Sequence, residues 1–225
     1  MNLRTTILSL GLFIFTHSAI SQTYTYKVRY GLVQAGKAQL VHTIEEGRLN
    51  SFFSIESSPW LSKLWTLSDS IHTEYELASE KLIRHRKAIH EGNYHRNYTV
   101  TFADSNQAVV NGNPKSIVTH ELKDIPSLLY HLSNSRFNHG DTLNFLVWDG
   151  RGSGTLMLLV EKIGKPTLFK PFNEPGWRLT PLNSTRKSRA NQIRLSMLYS
   201  RAYPHIPLRI EIDTKYGSVQ MRKEG

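Results

Sequence analysis

The segment Tyr24-Thr25-Tyr26-Lys27-Val28-Arg29-Tyr30 alternates strictly, with Tyr24, Tyr26, Val28 and Tyr30 on one parity and Thr25, Lys27 and Arg29 on the other. A two-residue period sends successive side chains to opposite faces of an extended chain, so this segment fits a half-buried strand and not a helix. Similar runs return along the chain, separated by Gly, Asn and Pro punctuation. Residues 38–44 follow the Gln34-Ala35-Gly36-Lys37 stretch as a second strand, and Glu45-Glu46-Gly47 turns the chain into residues 49–55. The predicted fold is mainly β.

One hairpin can be read residue by residue. Glu91-Gly92-Asn93 is a turn signal that sets residues 82–89 against 94–102. Parity places Ile83 and Ile89 with Tyr94, Tyr98, Val100 and Phe102 on an inner face. Arg84, Arg86, His95, Asn97, Thr99 and Thr101 then lie outside, while Lys87 and Arg96 fall on the inner parity and require a bulge or a polar rim near the turn. Asn111-Gly112-Asn113-Pro114 marks a further turn.

Two segments break the β pattern. Ser58-Pro59 reads as an N-cap followed by proline at the first helical position, and Trp60, Leu61, Leu64 and Trp65 recur at helical spacing. This predicts a helix of two to three turns with Trp60 and Trp65 in the core. Asp124-Ile125-Pro126-Ser127 opens a second short helix through Leu128, Leu129 and Leu132, ending near Asn134. Beyond it, residues 143–148 and 155–163 flank the glycine-rich turn Gly150-Arg151-Gly152-Ser153-Gly154. The unbroken apolar run Leu156–Val160 suits a strand covered on both faces at the centre of the sheet. Residues 165–189 read as a long irregular loop, and residues 193–199 and 208–213 as the closing strands, with Ile210 and Ile212 inward. The architecture expected is a single antiparallel β-roll or barrel-like domain over residues 22–225, with one or two short helices.

Residues 1–21 are set apart from that domain. Arg4 precedes the apolar run Ile7–Phe15, and Ala19-Ile20-Ser21 supplies small residues at a cleavage position, the pattern of a secretory signal peptide. The expected product is cut between Ser21 and Gln22 and works in the periplasm or is otherwise exported. The apolar run ends at polar Thr16, His17 and Ser18, well short of the roughly 20 residues a membrane-spanning helix needs. The chain has no cysteine, so the core alone must hold the fold, without disulfides. Its formal net charge of +10 favours anionic partners by long-range steering. In an exported protein these are envelope lipid, glycan or protein rather than nucleic acid.

The motifs for chemistry are weak when read this way. His85, His90 and His95 stand five apart, a spacing that neither a strand nor a helix converges on one ion, so no metal site is expected and these read as surface histidines. The glycine-rich segment lacks the Lys-Ser/Thr ending of a phosphate loop and is not a Gly-x-Ser-x-Gly elbow, because Ser153 has Arg151 and Thr155 two residues to either side. Ser127 or Ser153 with His131 or His139 and Asp141 offers the residue types of a hydrolase without a motif that selects them. No catalytic residue and no cofactor is assigned. The stronger signal is basic: Arg84, Arg86, Lys87, His95 and Arg96 form a candidate anion-binding surface on the hairpin, and Arg178, Arg186, Lys187, Arg189 and Arg194 a second cluster.

The strand closing in Ala35-Gly36-Lys37-Ala38, the segment His90–Arg96, Asp124-Ile125-Pro126-Ser127-Leu128-Leu129-Tyr130, Gly140-Asp141, Ile206-Pro207-Leu208 and Tyr216-Gly217-Ser218-Val219 occur in an order that resembles the bacterial exported proteins grouped as domain of unknown function 3108. The resemblance spans nearly all of residues 22–225. It implies a single β-roll or barrel-like domain of the periplasm or envelope without an assigned catalytic site. Together the readings point to a non-catalytic binding or assembly factor of the envelope. The alternatives are a periplasmic carrier holding an amphiphile inside the roll, with Trp60 and Trp65 near its mouth, and a hydrolase of glycan or peptide.

Overall fold

The computed structural model describes residues 19–63, 66–103, 107–116, 120–148, 150, 152–164, 175–182, 195–214 and 217–225. They contain β1 (Ile20–Tyr30), β2 (Val33–Glu45), β3 (Arg48–Ser57), α1 (Pro59–Ser62), β4 (Ser68–Glu76), β5 (Lys81–Glu91), β6 (Tyr94–Phe102), β7 (Gln107–Val110) and β8 (Asn113–Ser116). Then follow β9 (Leu122–Lys123), α2 (Ile125–Ser133), β10 (Thr142–Trp148), β11 (Ser153–Ile163), β12 (Gly176–Pro181), β13 (Leu195–Tyr199), β14 (Pro207–Thr214) and β15 (Gly217–Lys223).

All fifteen strands join one sheet in the order β8-β7-β6-β5-β4-β3-β2-β1-β15-β14-β13-β12-β11-β10-β9. Every pairing is antiparallel except β9 with β10, so the sheet is built from hairpins, as the alternating sequence predicts. Short turns make this cheap: Asn111 and Gly112, both at positive φ, join the paired residues Val110 and Asn113 in the two-residue geometry whose twist matches the strands. The sheet is not closed by hydrogen bonds. It rolls until the edge strand β9 lies against β5, and α2 fills the space between β3, β4, β9 and β10.

The inner face of the roll is the core. Tyr26, Ala38, Leu40 and Phe53 from the first half pack with Leu128, Leu129 and Leu132 of α2 and with Leu158, Leu179, Met197, Ile210 and Met221 of the second half. A second cluster joins Leu49, Tyr75, Leu82, Val100 and Phe102 to Leu122 and Trp148. Side chains therefore occupy the interior in which an amphiphile carrier would have to hold its cargo.

Several expectations are corrected. The helix at Pro59 is a single turn, and Trp60 is 51% exposed instead of buried, because α1 sits on the rim outside the sheet. Leu64 and Trp65 lie outside the described residues. The inward residue of β5 is Leu82 and not Ile83: Tyr75 pairs with Leu82 but Glu74 with Arg84, so Ile83 is the extra residue of a bulge that reverses the parity before it. β11 lies third from the β9 edge, while the central strand is β1. Within Leu156–Val160 only Leu156, Leu158 and Val160 are buried. The stretch read as a loop over 165–189 contains β12. β7, β8, β9 and β15 were not anticipated as strands.

Candidate functional site

Two rows of side chains run across neighbouring strands, one inside the roll and one outside. The inner row is polar. His42, Ser51, Thr73 and His85 are register partners on β2, β3, β4 and β5, and each is at most 4% exposed. Polar groups in an apolar interior need hydrogen-bond partners, and the start of α2 supplies them. Asp124, fully buried at the N-cap, accepts at Oδ2 from His85 Nδ1 (2.7 Å) and from Thr73 Oγ1 (2.5 Å). Its Oδ1 accepts from the Ser127 backbone N–H (3.1 Å) and hydroxyl (2.7 Å), while the Asp124 N–H donates to Ser127 Oγ, completing a capping box. The carboxylate thus ties a helix to two strands.

His42 is bonded separately, Nδ1 to Ser51 Oγ at 2.7 Å, with its ring edge-on to Tyr130. Burial pushes its pKa down to about 4, opposed by the nearby Asp124 carboxylate. The Nε2 atoms of His42 and His85 have no hydrogen-bond partner. Beside this row Lys123, only 2% exposed, donates to Glu80 (3.1 Å) over the ring of Tyr75, and holds the Glu80 carboxyl below its usual range.

This inner row contains Ser, His and Asp, but not in a nucleophilic order. A triad needs histidine between serine and carboxylate, whereas here the carboxylate stands between Ser127 and His85. All three are buried to within 1% of full coverage, which leaves a substrate no approach. The other hydrolase candidates are dispersed. His131 packs edge-on to Phe145, and burial together with Lys123 lowers its pKa. His139 Nδ1 accepts from the Lys162 N–H, Asp141 accepts from the Asn138 N–H, and Ser153 is paired with Trp148 across the β10–β11 hairpin. Among the described residues no group of three or more His, Asp or Glu side chains is placed to hold a metal ion.

The five basic-hairpin residues divide between the two faces. Arg84 and Arg86 lie outside and share Glu74 Oε1, at 3.1 and 3.7 Å. His95, also outside, lies against His90 with ring centroids 4.0 Å apart and the rings tilted by 42°. Lys87 and Arg96 point the other way at the rim, Lys87 beside Asp69 and Glu91, and Arg96 over the Tyr98 ring at 5.5 Å. His85 is not a surface histidine at all, being 1% exposed. In the second basic cluster Arg178 lies on β12, and Arg186, Lys187, Arg189 and Arg194 lie outside the described residues.

A different basic set is assembled by the register. Arg209, Arg222, Lys27 and Lys37 are successive partners on β14, β15, β1 and β2, so four cations stand side by side on the outer face, with Glu56 next in line on β3. At strand spacings of about 4.8 Å they span roughly 14 Å. Like charges about 6 Å apart repel by roughly 0.7 kcal/mol per pair even in water, and such opposition is unfavourable in a sheet. Glu224 lies 3.8 Å from Lys27. Where this row meets the β1–β2 turn, a surface cleft of about 360 Å³ is lined by the cations Lys27, Arg29, Arg222 and Lys223, by the acid Glu224, and by Leu32 and Gln34 among others. Sequence reasoning missed this set because its members are up to 195 positions apart and only strand order brings them together.

No helix among the described residues is long and apolar enough to cross a membrane. No curated protein matches the chain. Among solved structures it is similar to a β-barrel-like protein of domain of unknown function DUF1849 from Brucella abortus, at 9% identity and a TM-score of 0.54, over 93% of this chain and 98% of that one. That likeness is one of fold, and it fits the rolled, unclosed sheet. The family model described as protein of unknown function (DUF3108) matches residues 25–224, from the middle of the central strand to the residue after β15, and the chain belongs to that family.

Proposed function

We propose that this protein is an exported, non-catalytic binding domain of the cell envelope that recognises an anionic partner on its outer face. The observation that carries the reading is the row Arg209-Arg222-Lys27-Lys37, four cationic residues that the strand register sets side by side on the outer face. Such a row suits an anionic partner, since a concentration of positive charge raises the encounter rate with opposite charge and sets the orientation of the complex. The non-catalytic part of the reading rests on the burial of the Asp124, His85 and Ser127 group, which serves to dock α2. Export rests on the leader pattern in residues 1–21.

Retention on an immobilised sulfated polysaccharide, eluted by salt, tests this. The variant Lys27→Glu/Lys37→Glu elutes at markedly lower salt than the parent, with unchanged circular dichroism, because exposed charges contribute only about 0–1 kcal/mol per pair to folding. Arg84→Glu/Arg86→Glu has the smaller effect, as Glu74 already occupies those two guanidinium groups. Equal retention of parent and Lys27→Glu/Lys37→Glu removes the outer row from function.

A further inference from the structure

We infer that the partner is an anionic lipid bilayer, met by the rim of the roll at which the β1–β2, β3–β4 and β5–β6 connections end. The inference rests on the anion-binding reading and names its surface and orientation.

Five large apolar side chains stand exposed on that rim: Tyr30 (44%), Leu32 (90%), Val33 (50%), Trp60 (51%) and Tyr94 (48%). They come from three connections that are neighbours in space, because β1 to β6 are consecutive in the sheet and antiparallel. Successive tips are about 10 Å apart, two strand spacings. The connections are also bonded to one another. The Ser58 N–H donates to Ala35 O beside the first tip, the Ser57 N–H to Leu67 O, and the Gly92 N–H of the third tip to Thr66 O, all at 2.7–2.8 Å. These residues therefore form one shelf. The opposite rim carries Ile20, Tyr203 and Ile206 exposed, without such a series.

The chemistry of the shelf matches a bilayer interface. Tyr and Trp rings favour the headgroup level, where an apolar body and a polar edge are both satisfied. Leu32 sits at the apex of the two-residue turn between the paired residues Tyr30 and Val33. A bilayer receives a protruding tip without a preformed pocket, whereas a protein partner has to provide one. Charge lies at the right depth behind it. With a rise of about 3.4 Å per residue, Arg29 is about 7 Å and Lys27 about 14 Å behind Gly31. The headgroup layer on each side of a bilayer is about 5–8 Å thick, so Arg29 reaches it when Leu32 meets the hydrocarbon boundary. Lys27, Lys37 and Arg222 then remain within about one screening length of the surface. Each base so placed strengthens binding to an anionic leaflet about fivefold.

The rim has acids as well. Glu56 is next to Lys37, Glu224 near Lys27, and Asp69 and Glu91 face Lys87. Asp69 is half-buried and accepts from the His90 N–H at 3.0 Å, so part of its hydrogen-bonding capacity is already used within the protein. Lys63 and Arg96 add two further cations at the second and third tips.

The chain contains no cysteine, so Leu32→Cys and Tyr203→Cys each give a single attachment point for an environment-sensitive fluorophore. On vesicles containing about one-third phosphatidylglycerol in phosphatidylethanolamine, the label at 32 shifts to the blue and the label at 203 does not, while phosphatidylcholine vesicles give little shift at either. Trp60→Ser/Tyr94→Ser, two exposed rim residues outside the basic cleft, lowers vesicle association about tenfold or more, keeps its circular dichroism, and is retained on sulfated polysaccharide like the parent. An unshifted label at 32, equal shifts at 32 and 203, or parental vesicle binding by Trp60→Ser/Tyr94→Ser overturns the bilayer proposal while leaving the anion-binding reading intact. Loss of polysaccharide retention in no charge variant overturns both.

Discussion

His42 lies on the inner face of β2 with its ring 1% exposed and its only hydrogen bond to Ser51, so ionising it in place is costly. Its pKa falls from 6.5 to about 4. A histidine whose folded pKa is depressed contributes stability above its unfolded pKa, and that contribution is lost as pH falls from about 6.5 towards 4, where the unfolded chain binds the proton and the folded one does not. At about 1.4 kcal/mol per pK unit the loss is roughly 3 kcal/mol. Half-buried His131, also lowered, acts in the same direction, whereas Asp69 and Glu91, raised by burial, act in the opposite one. The difference between parent and His42→Gln isolates the His42 share: urea unfolding of the parent weakens more steeply than that of the variant between pH 6.5 and 4, and parallel curves contradict the assignment. At this scale the sequence misleads for a clear reason. His85 shares the parity of Ile83, yet its five-residue spacing from His90 and His95 reads as a scatter of surface rings. Counted from Leu82, the residue that is in fact inward, it would face out, and the one-residue bulge at Ile83 is what turns it inward onto Asp124.

Among the elements, α2 was legible because its signals are local: Asp124 at the N-cap, Pro126 in the first turn, Ser127 returning the cap and Leu128, Leu129 and Leu132 on one face. The β5–β6 hairpin was legible for the same reason, its turn and alternation being contiguous. α1 was overextended because Trp60, Leu61, Leu64 and Trp65 recur at helical spacing in the sequence, whereas the helix is one turn long and Trp60 stands exposed on the rim with no core to bury it. β9 is two residues long and carries no period, and the β14–β15 cation pairing depends on which distant strands meet. The β10–β11 turn shows how one element fixes another. Gly150 has φ +98°, and a Cβ there would lie 1.7 Å from the Tyr98 hydroxyl oxygen and 2.8 Å from its ring carbon Cζ on β6. Gly150→Ala therefore forces both a strained backbone and a displaced tyrosine, an expected loss of roughly 2–5 kcal/mol. Adding Tyr98→Phe recovers only part of it, since the oxygen is removed but the ring and the positive φ remain. Chemical denaturation of the two single variants and the double variant gives the coupling, and simple additivity contradicts the contact.

The whole molecule is held at its middle by its first strand. β1 pairs with β2 on one side and with β15 on the other, so the chain's N-terminal segment is the central strand of the roll and joins its two halves. β1 begins at Ile20, two residues before the expected cleavage point, and those two residues pair only with Ile44 and Thr43 of β2. Ile20 is 59% exposed, so cutting after Ser21 sacrifices little burial. All five pairings with β15, from Tyr26 to Tyr30, lie beyond the cut. The expectation is that the protein recovered from the periplasmic fraction starts at Gln22, by N-terminal sequencing, and melts cooperatively. A chain starting instead at Arg29 removes Tyr26 and Val28 from the core and leaves three of those five β15 pairings unmade. Long-range pairing of this kind has no local substitute, so that truncation leaves β2 and β15 as unpaired edges and gives a non-cooperative, aggregation-prone product. Cooperative melting of the Arg29 chain at the parental temperature would show that the two halves hold together through α2 and the side-chain core without the strand that links them.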